Sequence, residues 1–202
     1  MKVGSSNRSI GSKSKIGCVL GLDFKHLDGD SFMSNGDCYG HLCTNHGSKW
    51  QLAGRFFDGV ANCVNCGSAP CLDTVFGSTT FTLEAWVFPE DWTSYRGIIS
   101  KRNSSLYTDQ PAGLFSDSDG FIFIMGDGTN RNAMYCKPAL NRWYHLEGMC
   151  NGSNLYLFSN REQVGTTPLT ATPVPNTDPL RIGYFYNQKS FLGLIAEVYI
   201  LN

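Results

Sequence analysis

Charged side chains are scarce in this sequence. Asp, Glu, Lys and Arg make up 16% of the 202 residues, and the formal net charge is -1. A chain this close to neutral has no general attraction to nucleic acid or to an anionic membrane. It also lacks an apolar run long enough for a membrane-spanning helix and a signal peptide with an apolar central region. We therefore expect neither nucleic-acid binding nor membrane insertion.

Sustained helical periodicity is also missing. No long stretch repeats its apolar residues every 3.6 positions, so helices should be short and few. Aromatic and branched residues instead alternate with polar ones in three runs, at 81–89, 142–148 and 191–200, a pattern typical of strands buried on one face. With 22 Gly and 8 Pro punctuating the chain, the sequence predicts an all-β sandwich, and a chain of this length is expected to form one domain.

Short apolar runs bounded by turn residues predict strands along the whole body of the chain. The predicted strands are 17–24, 55–59, 60–63, 80–88, 97–101, 113–115, 120–125, 133–136, 142–150, 154–159, 162–165, 180–184 and 191–201. Asp58-Gly59 and Asn151-Gly152 are tight-turn signals, because Gly and Asn readily adopt positive φ. We predict a β-hairpin at each, with a type I′ turn at Asn151-Gly152.

Two segments of opposite charge divide the chain. Residues 1–16 carry four basic residues and no acidic one, which leaves 12 basic and 17 acidic residues, a net charge of -5, for the predicted sandwich domain at 17–202. The Ser/Gly/Lys-rich tail buries too little apolar surface to fold alone, so the simpler interpretation is a flexible linker. The alternative is a tail that docks on an acidic neighbour and mediates self-association through residues 1–16.

Eight cysteines are many for a cytosolic protein of this size. They are Cys18, Cys38, Cys43, Cys63, Cys66, Cys71, Cys136 and Cys150. An even set of cysteines in a loop-rich chain favours disulfides and an oxidising compartment. Spacing does not define the connectivity, so the local pairs Cys38–Cys43 and Cys66–Cys71 are hypotheses.

Zinc ligation is the alternative use of these cysteines. Cys63 and Cys66 form a CxxC, and Cys38, His41, Cys43 and His46 lie close enough in sequence for a tetrahedral site. Structural zinc sites usually show two well-spaced pairs of ligands, and only one CxxC is present. Disulfides are therefore the favoured interpretation.

Six short motifs occur in an order that resembles a known family. They are Phe-Asp-Gly-Val at 57–60, Phe-Thr-Leu-Glu-Ala-Trp-Val at 81–87, Arg-Trp-Tyr-His-Leu-Glu-Gly at 142–148, Asn-Gly-Ser-Asn-Leu-Tyr-Leu at 151–157, Pro-Leu-Arg-Ile-Gly at 179–183 and Gly-Leu-Ile-Ala-Glu-Val-Tyr-Ile at 193–200. The succession resembles the laminin-G-like branch of the concanavalin A-like lectin/glucanase superfamily, over about residues 18–202. The resemblance implies a jelly-roll sandwich of two curved antiparallel sheets, used mostly to bind sugars or proteins outside cells.

The chain departs from the family pattern at two places. Members often carry an Asp-Glu pair in the last strand, where this chain has Ala196-Glu197, and a Gly in the turn where it has Asn160-Arg161. One structural calcium is still a candidate cofactor, because Ca²⁺ takes six to eight oxygen ligands from polar loops. The candidate ligands are Asp28, Asp30, Asn35, Asp37 and Glu197, with Asp58 as a further contributor. The alternative is that these residues only form turns.

Paired carboxylates along one strand are missing. Retaining glycoside hydrolysis uses two carboxyl groups about 5 Å apart, which side chains two residues apart on a strand supply. No Glu-x-Asp-x-Glu run is present, and Glu84, Glu147 and Glu197 are each solitary in their strands. His145 alternates with Trp143 and Glu147, as a sheet residue would. We therefore expect a protein that is not an enzyme.

Two aromatic loops are the candidate ligand-binding sites. Sugar sites combine aromatic platforms with a few placed polar groups. The candidate residues are Trp92, Tyr95 and Arg96 after the strand at 80–88, and Tyr184, Tyr186 and Asn187 before the last strand. The alternative is rim packing, since single exposed aromatics need no function. Trp50, Trp86 and Trp143 are assigned to the core.

Two functional classes remain open. The favoured one is a non-catalytic extracellular carbohydrate-binding or adhesion module, whose partner is a glycan or surface glycoprotein at a cell or virion surface. The alternative is a structural subunit of an extracellular filament, surface layer or virion assembly, in which residues 1–16 dock on a neighbouring copy. Family resemblance favours the first class, because fold alone does not fix function.

Overall fold

A computed structural model describes most of the chain. The description covers residues 16–93, 95–102, 112–127, 131–173, 175–186 and 189–202. The predictions for the basic tail, apart from Ile16, and for Asn187 lie outside the described residues.

Strands dominate the described chain. In chain order they are β1 (Cys18–Asp23), β2 (Ser31–Met33), β3 (Leu42–His46), β4 (Lys49–Gln51), β5 (Gly54–Asp58), β6 (Cys63–Asn65), β7 (Thr80–Pro89), β8 (Arg96–Lys101), β9 (Ala112–Asp117), β10 (Gly120–Gly126), β11 (Arg131–Cys136), β12 (Tyr144–Asn151), β13 (Asn154–Ser159), β14 (Glu162–Pro168), β15 (Leu180–Ile182), β16 (Tyr184–Phe185), β17 (Lys189–Ser190) and β18 (Leu192–Leu201). One short helix, α1 (Pro70–Phe76), lies between β6 and β7. The prediction of an all-β chain is confirmed.

The strands form two sheets. An eight-stranded sheet has the order β14-β13-β12-β7-β18-β5-β4, with β1 also paired to β18. A ten-stranded sheet has the order β11-β10-β9-β8-β15-β6-β3-β2, with β16 and β17 attached beside β8. Pairing is antiparallel throughout the described strands except where Ser190 meets Gly97. The arrangement matches the predicted jelly-roll sandwich.

The core lies between the two sheets and is built by alternation. Leu83, Val87 and Leu146 point inward from the eight-stranded sheet and are fully buried. Phe123 of β10 comes from the opposite sheet and packs so closely that a Cβ on Gly148 would lie 2.5 Å from its ring. Glycine at position 148 is therefore a packing requirement, since Cβ atoms do not approach aromatic carbons that closely.

One of the two predicted hairpins forms. β12 and β13 pair around Asn151-Gly152, but only Gly152 has positive φ, at 90°. The turn runs from Asn151 to Asn154, so Gly152 is its first central residue and Ser153 its second. Positive φ at the first central residue alone is the pattern of a type II′ turn, so the predicted type I′ geometry is wrong. The hairpin at Asp58-Gly59 is also wrong. β5 and β6 belong to different sheets, and Asp58-Gly59 carries the chain from one to the other.

The predicted disulfides are not formed in the structure. None of the eight cysteines is in a disulfide, and Cys18, Cys43, Cys63, Cys66 and Cys150 are buried. Buried free thiols pack as small hydrophobic side chains. The local pair Cys38–Cys43 is opposed by position, because Cys38 is exposed while Cys43 is in the core.

In the described part of the chain, no helix has the length and apolar character needed to cross a membrane.

The turn between β13 and β14 stores backbone strain. Asn160 and Arg161 both have positive φ, at 54° and 70°, in the position where the resembling family carries Gly. We expect Arg161→Gly to raise the free energy of unfolding by about 1 kcal/mol, because a left-handed non-glycine residue costs about that much. Chemical denaturation measures the change.

Asn160→Gly is the matched control. Asn tolerates the left-handed region, and the Asn160 Oδ1 accepts a 2.9 Å hydrogen bond from the His145 backbone N–H. Removing that side chain should give no gain in stability. A lower stability for Arg161→Gly would contradict the assignment of strain to this residue.

Candidate functional site

The side of the eight-stranded sheet that faces away from the core carries an unusual set of side chains. We call it the outer face and define it by Glu84 and Trp86 of β7, His145 and Glu147 of β12, and Glu197 and Tyr199 of β18. These residues alternate with the buried core positions of the same strands, so the register that builds the core also brings them together.

Trp86 lies at the centre of the outer face. It pairs across the sheet with His145 on one side and with Glu197 on the other. The rings of Trp86 and His145 are 5.1 Å apart between centroids. Trp86 remains 39% exposed, so a large aromatic surface is available to a ligand.

The neighbouring row of the outer face is acidic. Glu84 lies opposite Glu147 on β12 and opposite Tyr199 on β18. The Glu84 Oε2 is 3.4 Å from the His145 Nε2. Burial raises the pKa of Tyr199 to about 12, and the negative charges of Glu197 and Asp23 add to that effect. The hydroxyl of Tyr199 therefore stays protonated in a negative field.

A bulge in β18 places Glu197 beside Trp86. The register shifts between Ile195 and Glu197, so Ala196 is the additional residue. Such a bulge redirects the side chains that follow it. Glu197 forms an ion pair with Lys25, and the hydrogen bond from Lys25 to Glu197 raises the pKa of Lys25.

These elements enclose an open cavity of about 430 Å³. It is lined by Lys25, Ala53, Trp86, Trp143, Ala196 and Glu197. Trp143 is held by the ring of Phe88, 5.6 Å away between centroids. The cavity thus combines two indole surfaces with one ammonium and one carboxylate group, a composition typical of small-ligand sites.

The assignment of three tryptophans to the core is wrong. Trp50 and Trp86 are each 39% exposed, Trp143 is half-buried, and the last two line the cavity. The sequence contained the missed signal. Trp86 has the same parity as Glu84 in a strand whose odd positions are all apolar, so alternation places it with the carboxylate on the outside.

The first predicted binding loop is occupied by its own contacts. The Trp92 Nε1 donates to the Pro138 carbonyl at 3.2 Å. Arg96 is almost fully buried and makes two hydrogen bonds to the carboxylate of Asp91, at 3.1 and 2.9 Å. Tyr95 stacks on Phe115 at 5.1 Å. Trp92, Tyr95 and Arg96 therefore brace the rim of the sandwich.

The second predicted loop divides between two roles. Tyr184 lines another open cavity, of about 390 Å³, together with His46, Ala61, Cys63, Asn65 and Arg181. The Arg181 guanidinium lies 5.6 Å from the centre of the Tyr184 ring. Tyr186 packs against the small cluster around Phe185. This cavity is separate from the outer face, because Tyr184 belongs to the ten-stranded sheet.

The candidate calcium ligands have other partners. Asp37 accepts hydrogen bonds from the backbone N–H groups of Gly21, Tyr39 and Gly40. Asn35 accepts one from the Asp23 N–H at 2.8 Å.

The remaining candidates are similarly engaged. Asp28 accepts from the Gly29 N–H at 2.6 Å, Asp30 receives a 3.4 Å contact from Asn45, and Glu197 is paired with Lys25. These are the turn contacts of the alternative interpretation. The calcium site stays a prediction.

No group of three or more His, Cys, Asp or Glu side chains is arranged to hold a metal in the described residues. The structure thus does not assemble the alternative zinc site. The His41 Nε2 lies 2.8 Å from the Val19 carbonyl oxygen, and Cys43 is in the core while Cys38 is exposed.

Comparison with known families supports the predicted resemblance. A family model described as the concanavalin A-like lectin/glucanases superfamily matches residues 67–202. A comparison with curated proteins finds no match.

Several solved structures share the fold. A Trypanosoma rangeli sialidase in complex with sialic acid has a TM-score of 0.67 and 13% identity, covering 93% of this chain and 31% of the sialidase chain. The receptor-binding domain of a botulinum neurotoxin C/D mosaic serotype has a TM-score of 0.72 and 10% identity, covering 92% of this chain and 48% of that one. Domain 4 of a GH43 extracellular arabinanase from Geobacillus stearothermophilus, in complex with arabinotriose, has a TM-score of 0.64 and 13% identity, covering 92% of each chain. This chain spans about a third of the length of the sialidase chains.

The prediction that the chain is not an enzyme is wrong. The fold occurs in chains of a sialidase and of an arabinanase, so the fold does not exclude catalysis. The sequence has no pair of carboxylates two residues apart along one predicted strand. The sheet instead places Glu84 and Glu147 opposite each other on neighbouring strands, a pairing that spacing within one strand does not reveal.

The raised pKa of Tyr199 predicts an alkaline loss of stability. An unfolded tyrosine ionises near pH 10, whereas Tyr199 in the folded chain has a pKa of about 12. The folded state holds this proton more tightly, so the stabilisation is fully present below about pH 10 and is lost as the pH rises through about 12. Urea denaturation over this range should show a falling free energy of unfolding, with a smaller fall in Tyr199→Phe.

Tyr184→Phe, which removes a tyrosine hydroxyl from the other sheet, is the control and should keep the wild-type pH dependence. An identical alkaline slope in Tyr199→Phe and the wild type would show that the outer face does not hold this proton.

Proposed function

This chain belongs to the concanavalin A-like lectin/glucanases superfamily, and on that premise we propose that it is a carbohydrate-binding module whose glycan lies against the outer face. The observation that carries the proposal is that Trp86, Trp143 and the Lys25–Glu197 ion pair line the same 430 Å³ cavity. The module acts outside the cell or at a cell or virion surface, where its partner is a glycan or a surface glycoprotein.

The cavity has the chemistry that a sugar ring requires. The apolar face of a pyranose stacks on an indole ring, which offers a large rigid surface at low entropic cost. The hydroxyl groups around the sugar need donors and acceptors, and Lys25 and Glu197 supply both. Since the two side chains already hold each other, little further ordering is needed when a ligand binds.

The comparisons support a glycan as the partner. The arabinanase domain that shares the fold was solved with arabinotriose, and the arabinanase is described as extracellular. The neurotoxin domain is described as receptor-binding. These likenesses are in fold, and fold alone does not fix function, so the support for a glycan site in this chain comes from its own cavity.

The alternative of a structural subunit depends on residues 1–16 as a docking tail. All of these residues except Ile16 lie outside the described residues. The part of the chain that the structure describes gives this alternative no specific support.

Substitution at the outer face tests the proposed site. We expect Trp86→Ala to weaken binding at least about tenfold to the neutral oligosaccharide best retained by the wild type on a glycan array, because the stacking surface is lost. Isothermal titration measures the change. Trp86 is partly exposed, so truncating its side chain should destabilise the fold less than truncating a fully buried side chain would.

Tyr184→Ala is the matched control, because it removes an aromatic ring from the second cavity. Wild-type affinity in Tyr184→Ala together with the loss in Trp86→Ala would support the outer face. The reverse pattern, or no glycan retained by the wild type, would contradict the proposal.

The charge of the outer face limits which sugars it accepts. The carboxylates on or beside it are Asp23, Glu84, Glu147 and Glu197, and Lys25 is a cation that pairs with both Glu197 and Asp23. An anionic sugar brought to this face meets net repulsion that is only partly screened near a half-buried surface. The site therefore prefers neutral or amino sugars.

Matched glycans test this preference. Lactose and 3′-sialyllactose differ by one anionic residue, and we expect the sialylated sugar to bind at least about tenfold more weakly at low salt. The difference should shrink at high salt and in Glu197→Gln. Tighter binding of 3′-sialyllactose than of lactose would overturn the charge argument, while loss of both in Trp86→Ala would leave the location of the site intact.

A further inference from the structure

Two buried cysteines face each other across neighbouring strands. β3 and β6 are antiparallel, with Thr44 opposite Asn65 and Asn45 opposite Val64. Continued by one residue, this register puts Cys43 directly opposite Cys66. Cys43 is fully buried and Cys66 is 3% exposed, and both belong to the main core cluster.

The two thiols influence each other. The interaction with the Cys43 side chain, together with burial, raises the pKa of the Cys66 thiol well above its usual value. The Cys66 thiol is therefore protonated in the reduced chain, and both side chains lie in the same apolar environment.

The backbone geometry at this position favours a covalent link. The Cys66 backbone N–H donates to the Leu180 carbonyl at 2.9 Å, so its backbone groups point toward β15 and away from β3. Cys43 and Cys66 thus occupy a non-hydrogen-bonded position between β3 and β6. Opposed Cα atoms at such positions are about 4.5 Å apart, within the range of about 4.4 to 6.8 Å that disulfides span.

We propose that Cys43 and Cys66 form a disulfide when the chain folds under oxidising conditions. The two thiols lose two protons and two electrons, and a small-molecule disulfide such as oxidised glutathione accepts them. One cysteine thiolate attacks that disulfide and releases one thiol. The second cysteine then attacks the mixed disulfide, forms the Cys43–Cys66 bond and releases the other thiol.

This pairing replaces both local pairs expected from the sequence. Cys38 is exposed whereas Cys43 is buried in the core, so the two thiols are not placed to form a disulfide. Cys71 lies beside His41, with 3.9 Å between the sulfur and the Nε2. The signal for Cys43–Cys66 is the sheet register, which brings together residues that are distant in sequence.

A Cys43–Cys66 disulfide would close a loop of residues 43–66, part of which lies in the other sheet. Between Cys43 and Cys66 the chain forms β4 and β5, which belong to the eight-stranded sheet, and Ala53 of this segment lines the outer-face cavity. A disulfide between the two ends of this segment would lower the conformational entropy of the unfolded chain, which is the main way disulfides stabilise proteins.

Peptide mapping tests the bond in the full-length chain. Trypsin cleaves after Lys25, Lys49, Arg55 and Arg96, so Cys43 falls in peptide 26–49 and Cys66 in peptide 56–96. The wild type is folded with a mixture of reduced and oxidised glutathione, alkylated under denaturing conditions without reductant, and digested. We expect the two peptides to be linked, with a mass two hydrogens below the sum of the two peptides counted with Cys38, Cys63 and Cys71 alkylated and with Cys43 and Cys66 as thiols.

A variant removes the remaining ambiguity. Cys38→Ser, Cys63→Ser and Cys71→Ser together leave Cys43 and Cys66 as the lone cysteines of their two peptides. The linked product should persist in this variant and disappear when Cys66→Ser is added. If the first variant fails to fold, fragmentation of the linked wild-type peptides identifies the two cysteines that are joined. Unlinked, alkylated peptides, or a link that does not join Cys43 to Cys66, would overturn the proposal.

A stability measurement gives a second readout. We expect reductant to lower the thermal midpoint of the wild type, and to do so less in Cys43→Ser, which has no such bond to lose. An equal response in the two proteins would contradict a structural role for Cys43–Cys66.

Discussion

β7 pairs with β12 along one edge and with β18 along the other, and these two registers fix both the core and the outer face. Side chains alternate between the two faces of a sheet, so one register decides both sides at once. Burying Leu83 and Leu146 in the core places Glu84, Trp86 and His145 on the outer face. A shift of one residue in this register would exchange the core residues with the outer-face residues. The free energy gained by burying the core residues therefore also holds the candidate site in position.

The outer face keeps a concentration of carboxylates that would be costly without partners. His145 lies beside Glu84, and Lys25 pairs with Glu197. Burial raises the pKa of Tyr199, and the negative field that remains on this face adds to that effect. The polar contacts that stabilise this face are therefore also the groups that a bound sugar would meet, which connects the stability of the sheet to the choice of ligand.

Much of the fold could be predicted from local patterns. The long strands β7, β12 and β18 follow from alternation of apolar and polar residues, and the Asn151-Gly152 hairpin follows from turn chemistry. The Asp58-Gly59 prediction failed because the same dipeptide serves equally well in a turn between sheets. The helix α1 was missed, since seven residues are too few to show a helical period.

The candidate site shows the same division. Alternation within β7 places Trp86 on the same face as Glu84. The sequence of this one strand therefore predicts an aromatic and an acidic side chain together on the outside of the sheet. The partners of these residues come from β12, β18 and the chain after β1, which only long-range pairing brings together. Spacing along a chain describes neighbours on one strand, whereas the Glu84–Glu147, Lys25–Glu197 and Cys43–Cys66 neighbours arise from sheet register, a property of the packed structure as a whole.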